Sequence, residues 1–539
     1  MQSPELPTGT LGQSTAFATD YWIIGGLLTL AGIAVLGFFY SRNEILLSGD
    51  AVAHINIARR VFDSRTPGLL QLGSVWLPLP HLLTIPFVVN GRMWESGIGG
   101  SIVSLVSYIA AGMGLFRLLL MWSRATAWIG TILLASNPNL LYLQTTALNE
   151  PLYLATFIWA TVFFAEAWRS FNRSEAAGAR WLQRGAMALT AAVFTRYDGW
   201  FLACVCWAAI LPGAVDALRR NCDRRFRLAV FKALLLSALG PTLWLAYNLG
   251  VYGNALEFAN GPYSAKAIAL RSTESGAPPY PGERRVLTAA MYFVKAAQLN
   301  VGDGFLGKIL ILFSALASAA LLRRDWLPVT LLWSPLIFYA LSIAYGSIPI
   351  FIPVWWPFSY YNARYGLELL PAIAAGVGFS VYRMEKIWRN RRAWLVSTAL
   401  VVVIAGICYV NAAQRVPICL RETRMNGEAR MELDRRVAAV LKSLPPQATV
   451  LAYTGAHSGA FEMAGFRLRR TINEGNFYLW DACLAHPATA SDYAIAFDGD
   501  PVADSVSRHP AGLHATAILA VNGQSRVVIY KSALYLHDK

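Results

Sequence analysis

The sequence predicts an α-helical polytopic membrane protein of about eleven spans, with interfacial helices in its first outer loop and a small extracytoplasmic α/β domain at its C-terminal end. Three observations lead there. The 539 residues are 56% hydrophobic and only 14% charged, against roughly 25% charged in soluble domains, and the mean hydropathy is +0.43. Apolar windows of about 20 residues, the length that crosses a bilayer, recur as far as residue 412. The basic residues fall in short clusters between those windows.

The first window follows "MQSPELPTGTLGQSTAFATD", which lacks the basic start of a secretory signal, and no small-residue cleavage site follows it. It is expected to be a retained span. The eleven windows lie near 21–41, 97–120, 125–144, 150–168, 183–197, 199–217, 229–252, 305–322, 327–346, 366–382 and 394–412. The fifth, "WLQRGAMALTAAVF", is short.

The net charge of +15 does not imply nucleic acid, because the clusters form no single patch with interleaved aromatics. Arg117 with Arg124, then Arg169, Arg173, Arg180 and Arg184, then "RRNCDRRFR", Arg323 with Arg324, and "RMEKIWRNRR" all fall on one side if eleven helices alternate. By the positive-inside rule that side is cytoplasmic. The amino terminus is then cytoplasmic, and loops 42–96 and 253–304, segment 347–365 and the tail from 413 lie outside.

In the first outer loop, Asp50, Ala53, His54, Ile57 and Val61 make a helical stripe, and "VWLPLPHLLTIPFVV" is apolar but broken by proline. Both read as interfacial helices. In the tail, "TVLAYTG", "DYAIAF" and "SRVVIYKS" read as strands and "ARMELDRRVAAVLKSL" as a helix, so the chain divides into a membrane domain, 1–412, and an α/β domain, 413–539. His457 and Glu462 in that domain read as ordinary surface. The six cysteines show no metal-ligand spacing. Cys204, Cys206 and Cys408 lie in apolar runs, Cys222 in a basic loop, and Cys419 with Cys483 is the one pair expected to be able to form an external disulfide.

Ionisable residues at the edge of spans are candidates for function, because burying charge in hydrocarbon is costly. On the outer side these are Asp50, Glu150, Arg196 with Asp198, and Arg364. Asp50 and His54, four apart, share a helical face, with Arg59 and Arg60 following. A carboxylate with cations nearby suits a base that activates a hydroxyl beside an anionic leaving group, although Asp50 could instead cap its helix. Glu150 precedes Pro151 and complements a helix N-terminus. Arg196 and Asp198 could simply pair with each other. Arg364 has the planar fork that grips phosphate. Trp355, Trp356, Tyr360 and Tyr361 read as interfacial anchors, as do Tyr263, Tyr280 and Tyr292, whose other reading is sugar stacking.

These segments, "GDAVAHINIARRVF", "ALNEPLYL" and "ARYGLELLPA", resemble the GT-C superfamily of membrane glycosyltransferases, most closely the branch of protein O-mannosyltransferases and lipid A aminoarabinose transferases. The likeness covers residues 20–412. It implies a GT-C-like catalytic domain transferring a sugar, with inversion, from a polyprenyl-phosphate donor to a hydroxyl of a lipid, glycan or protein at the outer face of a bacterial inner membrane. Asp50 and Glu150 are then the catalytic candidates, Arg364, Arg59 and Arg60 the donor-phosphate ligands, and His54, Arg196, Asp198 and Tyr365 the substrate contacts. Members often carry two adjacent acids in the first loop, whereas Ala51 and Val52 follow Asp50 here. No cofactor or metal ligand is therefore expected, although the family allows a divalent cation. Alternatives are oligosaccharyltransferase-like transfer of a preassembled glycan and a transporter of lipid or glycan. The second would be favoured by broken helices and internal repeats, and no clear repeat is visible.

Overall fold

The computed structural model describes residues 11–171, 175–220, 224–274, 276, 278–388 and 390–535. Arg173 and Cys222 lie outside them. From the amino-terminal end, α1 (Leu11–Ser41) leads into the first loop, which holds α2 (Gly49–Arg60) and α3 (Leu79–Val88). There follow α4 (Ile98–Leu119), α5 (Arg124–Ala135), α6 (Glu150–Ser170), α7 (Glu175–Thr195), α8 (Asp198–Arg220) and α9 (Arg224–Tyr252). The next group is α10 (Val286–Val301), α11 (Gly304–Ala319), α12 (Leu322–Tyr345), α13 (Leu370–Ile387) and α14 (Arg391–Gln414). Each of the eleven predicted windows overlaps one of these helices, although 125–144 runs past the end of α5 into a separate short helix, Pro138–Leu143.

Eight of them are long and apolar enough to cross a membrane among the described residues, nine if one bent pair forms a span. Two windows fall short for visible reasons. The helix α5 has only 12 residues, and α7 carries Arg180, Gln183 and Arg184 in its first half. The bent pair is α10 with α11, which meet at 110°. The segment 286–301 therefore differs from the outer loop expected there: its apolar residues Ala289, Phe293, Ala296 and Ala297 are buried.

Ion pairs show how the helix ends alternate. Arg169, in the last turn of α6, meets Asp325 near the start of α12 at 2.7 Å, and the Trp122 indole between α4 and α5 donates to the other oxygen of Asp325 at 3.0 Å. Arg117 of α4 faces Glu166 of α6 at 3.6 Å. The amino-terminal end of α6 therefore lies at the opposite end of the bundle.

Within the bundle, contacts rely on small residues, as expected where lipid supplies no hydrophobic drive between helices. The deeply buried α13 packs on α5 and α11, so close that a Cβ on Gly376 would sit 2.5 Å from the Ser314 carbonyl oxygen. Large apolar side chains point outward on α1, α9 and α14, among them Trp22, Phe231 and Val396. A water-soluble surface would not carry them together, so these faces belong to lipid.

The tail folds as α15 (Ile418–Ser443), β1 (Val450–Ala452), α16 (Ser458–Ala464), β2 (Thr471–Ile472), β3 (Tyr493–Phe497), α17 (Pro501–Arg508), β4 (Leu513–Leu519) and β5 (Val527–Ser532). The sheet order is β2-β1-β3-β5-β4, parallel for β2-β1-β3 and antiparallel beyond. The three predicted strands and the helix are present, and β2 and β4 are additional. Alternation along β3 sends Ile495 and Phe497 into the main core, while Ala494 and Ala496 join Val502 and Val506 of α17. The disulfide is not formed: Cys419 and Cys483 are both free, and the Cys419 thiol is buried against the Asn300 side-chain oxygen at 3.2 Å.

Candidate active site

Four of the predicted places meet where α2, the amino-terminal ends of α6 and α8, and the 3-10 turn Ala363–Leu369 converge. Asp50 lies in the first turn of α2. Ser48 occupies the N-cap and makes no side-chain cap bond, and the Asp50 carboxylate turns away from the helix to accept from Arg364 Nη2. Capping is therefore not what Asp50 does. Arg364 reaches the pair from a turn opened by Asn362, whose φ of 55° is left-handed, a conformation that asparagine tolerates better than most residues.

Glu150 Oε1 accepts from Arg364 Nε at 2.9 Å and from Arg196 Nη1 at 3.2 Å. Glu150 thus lies between the two arginines and faces no open space, with its side chain 2% exposed. Arg196 also donates through Nε to Asp198 Oδ1 at 3.1 Å and through Nη2 to the Tyr339 hydroxyl at 3.0 Å, and that hydroxyl donates to Asp198 Oδ2 at 2.7 Å. The ring of Tyr365 is held between both guanidinium groups, at 4.8 Å and 5.2 Å. The expected pairing of Arg196 with Asp198 is real, but it is one edge of a larger network.

Two members of that network escaped sequence reading. Glu368 is fully buried, 3.9 Å from Arg196 Nε, with neither oxygen hydrogen-bonded. It sits in the quoted motif "ARYGLELLPA", as an acid inside an apolar run, which is the signal that would have found it. Glu422, on α15, faces Arg364 Nη1 at 3.4 Å. Its helix is dense with charge, so nothing in the sequence marks it.

Of the carboxylates in the network, only that of Asp50 is open, at 41% side-chain exposure. Glu150, Asp198, Glu368 and Glu422 are at most 6% exposed. A base that must reach a substrate hydroxyl has one candidate here.

Other expectations need correction. Arg59 is not available to a phosphate. It pairs with Asp63 at 2.8 Å, donates to the Val88 carbonyl at 2.7 Å and lies over Trp94 at 4.6 Å. The Arg60 side chain has no ion pair or hydrogen bond among the described residues, and its Nε is buried without a partner. His54 makes no hydrogen bond to the Asp50 pair among the described residues; its Nδ1 is hydrogen-bonded to His81 Nε2 at 2.8 Å and its ring packs on Trp76 at 4.7 Å. His457 and Glu462 are buried rather than surface residues, His457 on Asp434 at 3.0 Å and Glu462 on Asn56 at 2.7 Å. The Tyr292 hydroxyl donates to the Trp356 carbonyl at 2.7 Å and Tyr280 to that of Ile343 at 3.0 Å, so each ties a loop to a helix. Among the described residues no group of three or more His, Cys, Asp or Glu side chains is placed to hold a metal.

Burial, with added repulsion from Arg364 and Arg196, pushes the His54 pKa down to about 3. The unfolded chain then takes up the proton first as pH falls below about 6.5, so the stability this residue contributes is present above that value and lost below it. At pH 5 the loss is about 2 kcal/mol for His54. Unfolding midpoints at pH 7 and pH 5 check this: the drop in the wild-type protein should exceed that of His54→Gln. Equal drops would show that His54 takes no part.

These features define a polytopic membrane protein with its charge network gathered at one end of the helices. The fold is shared with ArnT of Cupriavidus metallidurans. For ArnT bound to undecaprenyl phosphate the TM-score is 0.55 at 13% identity, covering 98% of this chain and 100% of that one; for apo ArnT it is 0.56 at 13% identity, covering 97% and 100%. The Archaeoglobus fulgidus oligosaccharyltransferase, in complex with Zn and sulfate, gives a weaker likeness, with a TM-score of 0.45 at 12% identity over 88% of this chain and 68% of that one. No protein-family model and no curated protein sequence matches the chain.

Proposed function

We propose that this chain is a membrane glycosyltransferase that moves a sugar from a polyprenyl-phosphate donor to a hydroxyl of a lipid, glycan or protein acceptor at the outer face of a bacterial inner membrane. A shared fold alone does not assign a reaction. The observation that carries the reading is the half-exposed Asp50 held against Arg364, in a fold whose ArnT example binds undecaprenyl phosphate. Residues 1–412 form the catalytic membrane domain in this reading and 413–539 the extracytoplasmic domain.

Arg364 already faces Asp50, Glu150 and Glu422, so an incoming phosphate must displace one of them. Asp50 is the exposed partner and is the one released. Freed, it takes the proton from the acceptor hydroxyl as that oxygen attacks the anomeric carbon. The bond from that carbon to the phosphate oxygen breaks, the electron pair leaves with the phosphate, and Arg364 stabilises the departing charge. Attack opposite the phosphate inverts the anomeric centre. Arg60, ten residues along α2 and about 15 Å away, meets the phosphate earlier on its path.

Incubation of purified protein with radiolabelled polyprenyl-phosphate sugars and cell-envelope acceptors tests the reading, which fails if no label leaves the carrier. Arg364→Ala should weaken undecaprenyl phosphate binding by about tenfold or more, and Arg323→Ala, at the other end of the bundle, should leave it unchanged. Equal affinities would take the phosphate role from Arg364. For the orientation, Tyr478→Cys on the exposed tail (85% exposed) should react with an impermeant maleimide in intact cells; labelling only after permeabilisation would reverse it.

One observation favours the transporter alternative, the 110° break between α10 and α11. Transporters place such breaks at matching positions of two repeated halves. Among the described residues there is one bent pair, and the transferase reading is preferred.

A further inference from the structure

We propose that α15, the first helix of the tail, sets the geometry of the Asp50–Arg364 pair, with Glu422 as the positioning residue for Arg364 and Arg430 as that for Asp50. The inference rests on the roles given above to Asp50 and Arg364, and not on the identity of the sugar or the acceptor.

Glu422 Oε2 accepts from the Ala363 amide at 2.9 Å, and its Oε1 faces Arg364 Nη1 at 3.4 Å. One carboxylate, 5% exposed, thus fixes the backbone that opens the 3-10 turn and the side chain one residue on. Asn300 holds the same turn from α10 by donating to the Ala363 carbonyl at 2.7 Å.

Eight residues further along α15, Arg430 Nη2 donates to the carbonyls of Leu46 at 3.0 Å and Leu47 at 3.1 Å, the last two residues before the N-cap of α2. Asp434 holds Arg430 in turn, at 2.6 Å. Between these anchors, Gly427 lets the helix pass against the chain: a Cβ there would lie 2.0 Å from the Leu47 carbonyl oxygen. Arg424 pairs with Glu44 on the same stretch. A single helix therefore grips the segment leading to Asp50 and the turn carrying Arg364, two residues 314 positions apart in sequence. Reacting groups tolerate little displacement, about 1 Å costing up to 10²-fold in rate, so a rigid clamp across them is a requirement of the chemistry and not merely of folding.

Hydrogen exchange separates positioning from general stability. Glu422→Ala should raise amide exchange within 359–369 by about tenfold and leave 44–52 unchanged, and Arg430→Met should do the reverse. Glu422→Gln retains an acceptor for the Ala363 amide and should keep the exchange protection, yet lower kcat for transfer by roughly 10- to 100-fold with the donor KM changed less than threefold. Unchanged exchange at 359–369 in a folded Glu422→Ala protein would overturn the proposal. Should that variant not fold, Glu422→Gln turnover within twofold of wild type would overturn it instead. If the wild-type protein transfers no sugar, the transferase reading is what fails, and the exchange measurements still decide whether α15 positions the pair.

Discussion

Asp50→Asn is expected to lower sugar transfer by about 10²- to 10⁴-fold with the protein still folded. The asparagine has nearly the shape of the aspartate, and its amide oxygen can still accept from Arg364 Nη2, but it cannot take a proton from an acceptor. The first-turn charge that it loses is worth about 0.3–1 kcal/mol of helix stability, which an otherwise intact fold tolerates. Because Ser48 holds the N-cap, a loss of activity cannot be ascribed to a lost cap. Transfer at close to the wild-type rate would remove the base role from Asp50. The role could not then pass simply to Glu150 or Asp198, since both are buried and engaged by Arg196.

The second large effect is on stability. Arg196→Ala should destabilise the protein by about 3–5 kcal/mol, the usual cost of leaving buried charge without its partner. The arginine spans Glu150, Asp198 and the Tyr339 hydroxyl with three different nitrogens and is the nearest cation to Glu368, at 3.9 Å. Arg196→Lys should recover part of the loss only, because an ammonium is a point charge that cannot meet all these oxygens in one geometry. Unfolding in a denaturing detergent series would measure both. A loss below about 1 kcal/mol for the alanine variant, the value typical of surface pairs, would mean that the network is solvated and not a buried one.

The residues of this network differ in how plainly the sequence announces them. Asp50, Glu150, Arg196, Asp198 and Arg364 were legible because each is a charge at the end of an apolar run, where hydrocarbon makes an idle charge expensive. Arg59 and Arg60 are neighbours of identical type, and only packing tells them apart: Arg59 folds back onto Asp63 and Trp94, while the Arg60 side chain has no ion pair or hydrogen bond among the described residues. No rule of spacing contains that difference. Glu422 was hidden for the opposite reason, since a charged residue on the polar helix α15 is the default. In the fold, the helix α10 is not legible because its 16 residues are too few to read as a span. The two-residue β2 is too short to leave a pattern, whereas β4, "LHATAIL", carries a short apolar alternation.

The involvement of α15 has a consequence for how the protein is made. The ribosome releases Asp50 early and Glu422 near the end, and at about 5–20 residues per second the two are separated by a delay on the order of tens of seconds. Through most of that interval Asp50 is present without its partner Arg364, and Glu422 follows Arg364 by 58 residues. A chain interrupted before α15 therefore lacks the carboxylate that holds the Ala363 amide and faces Arg364, although the Arg196 contacts of Glu150 and Asp198 are already encoded. Such a chain should be shorter-lived in a pulse-chase experiment than the full-length protein, because the turn that carries Arg364 and the segment before Asp50 have both lost their anchors on α15.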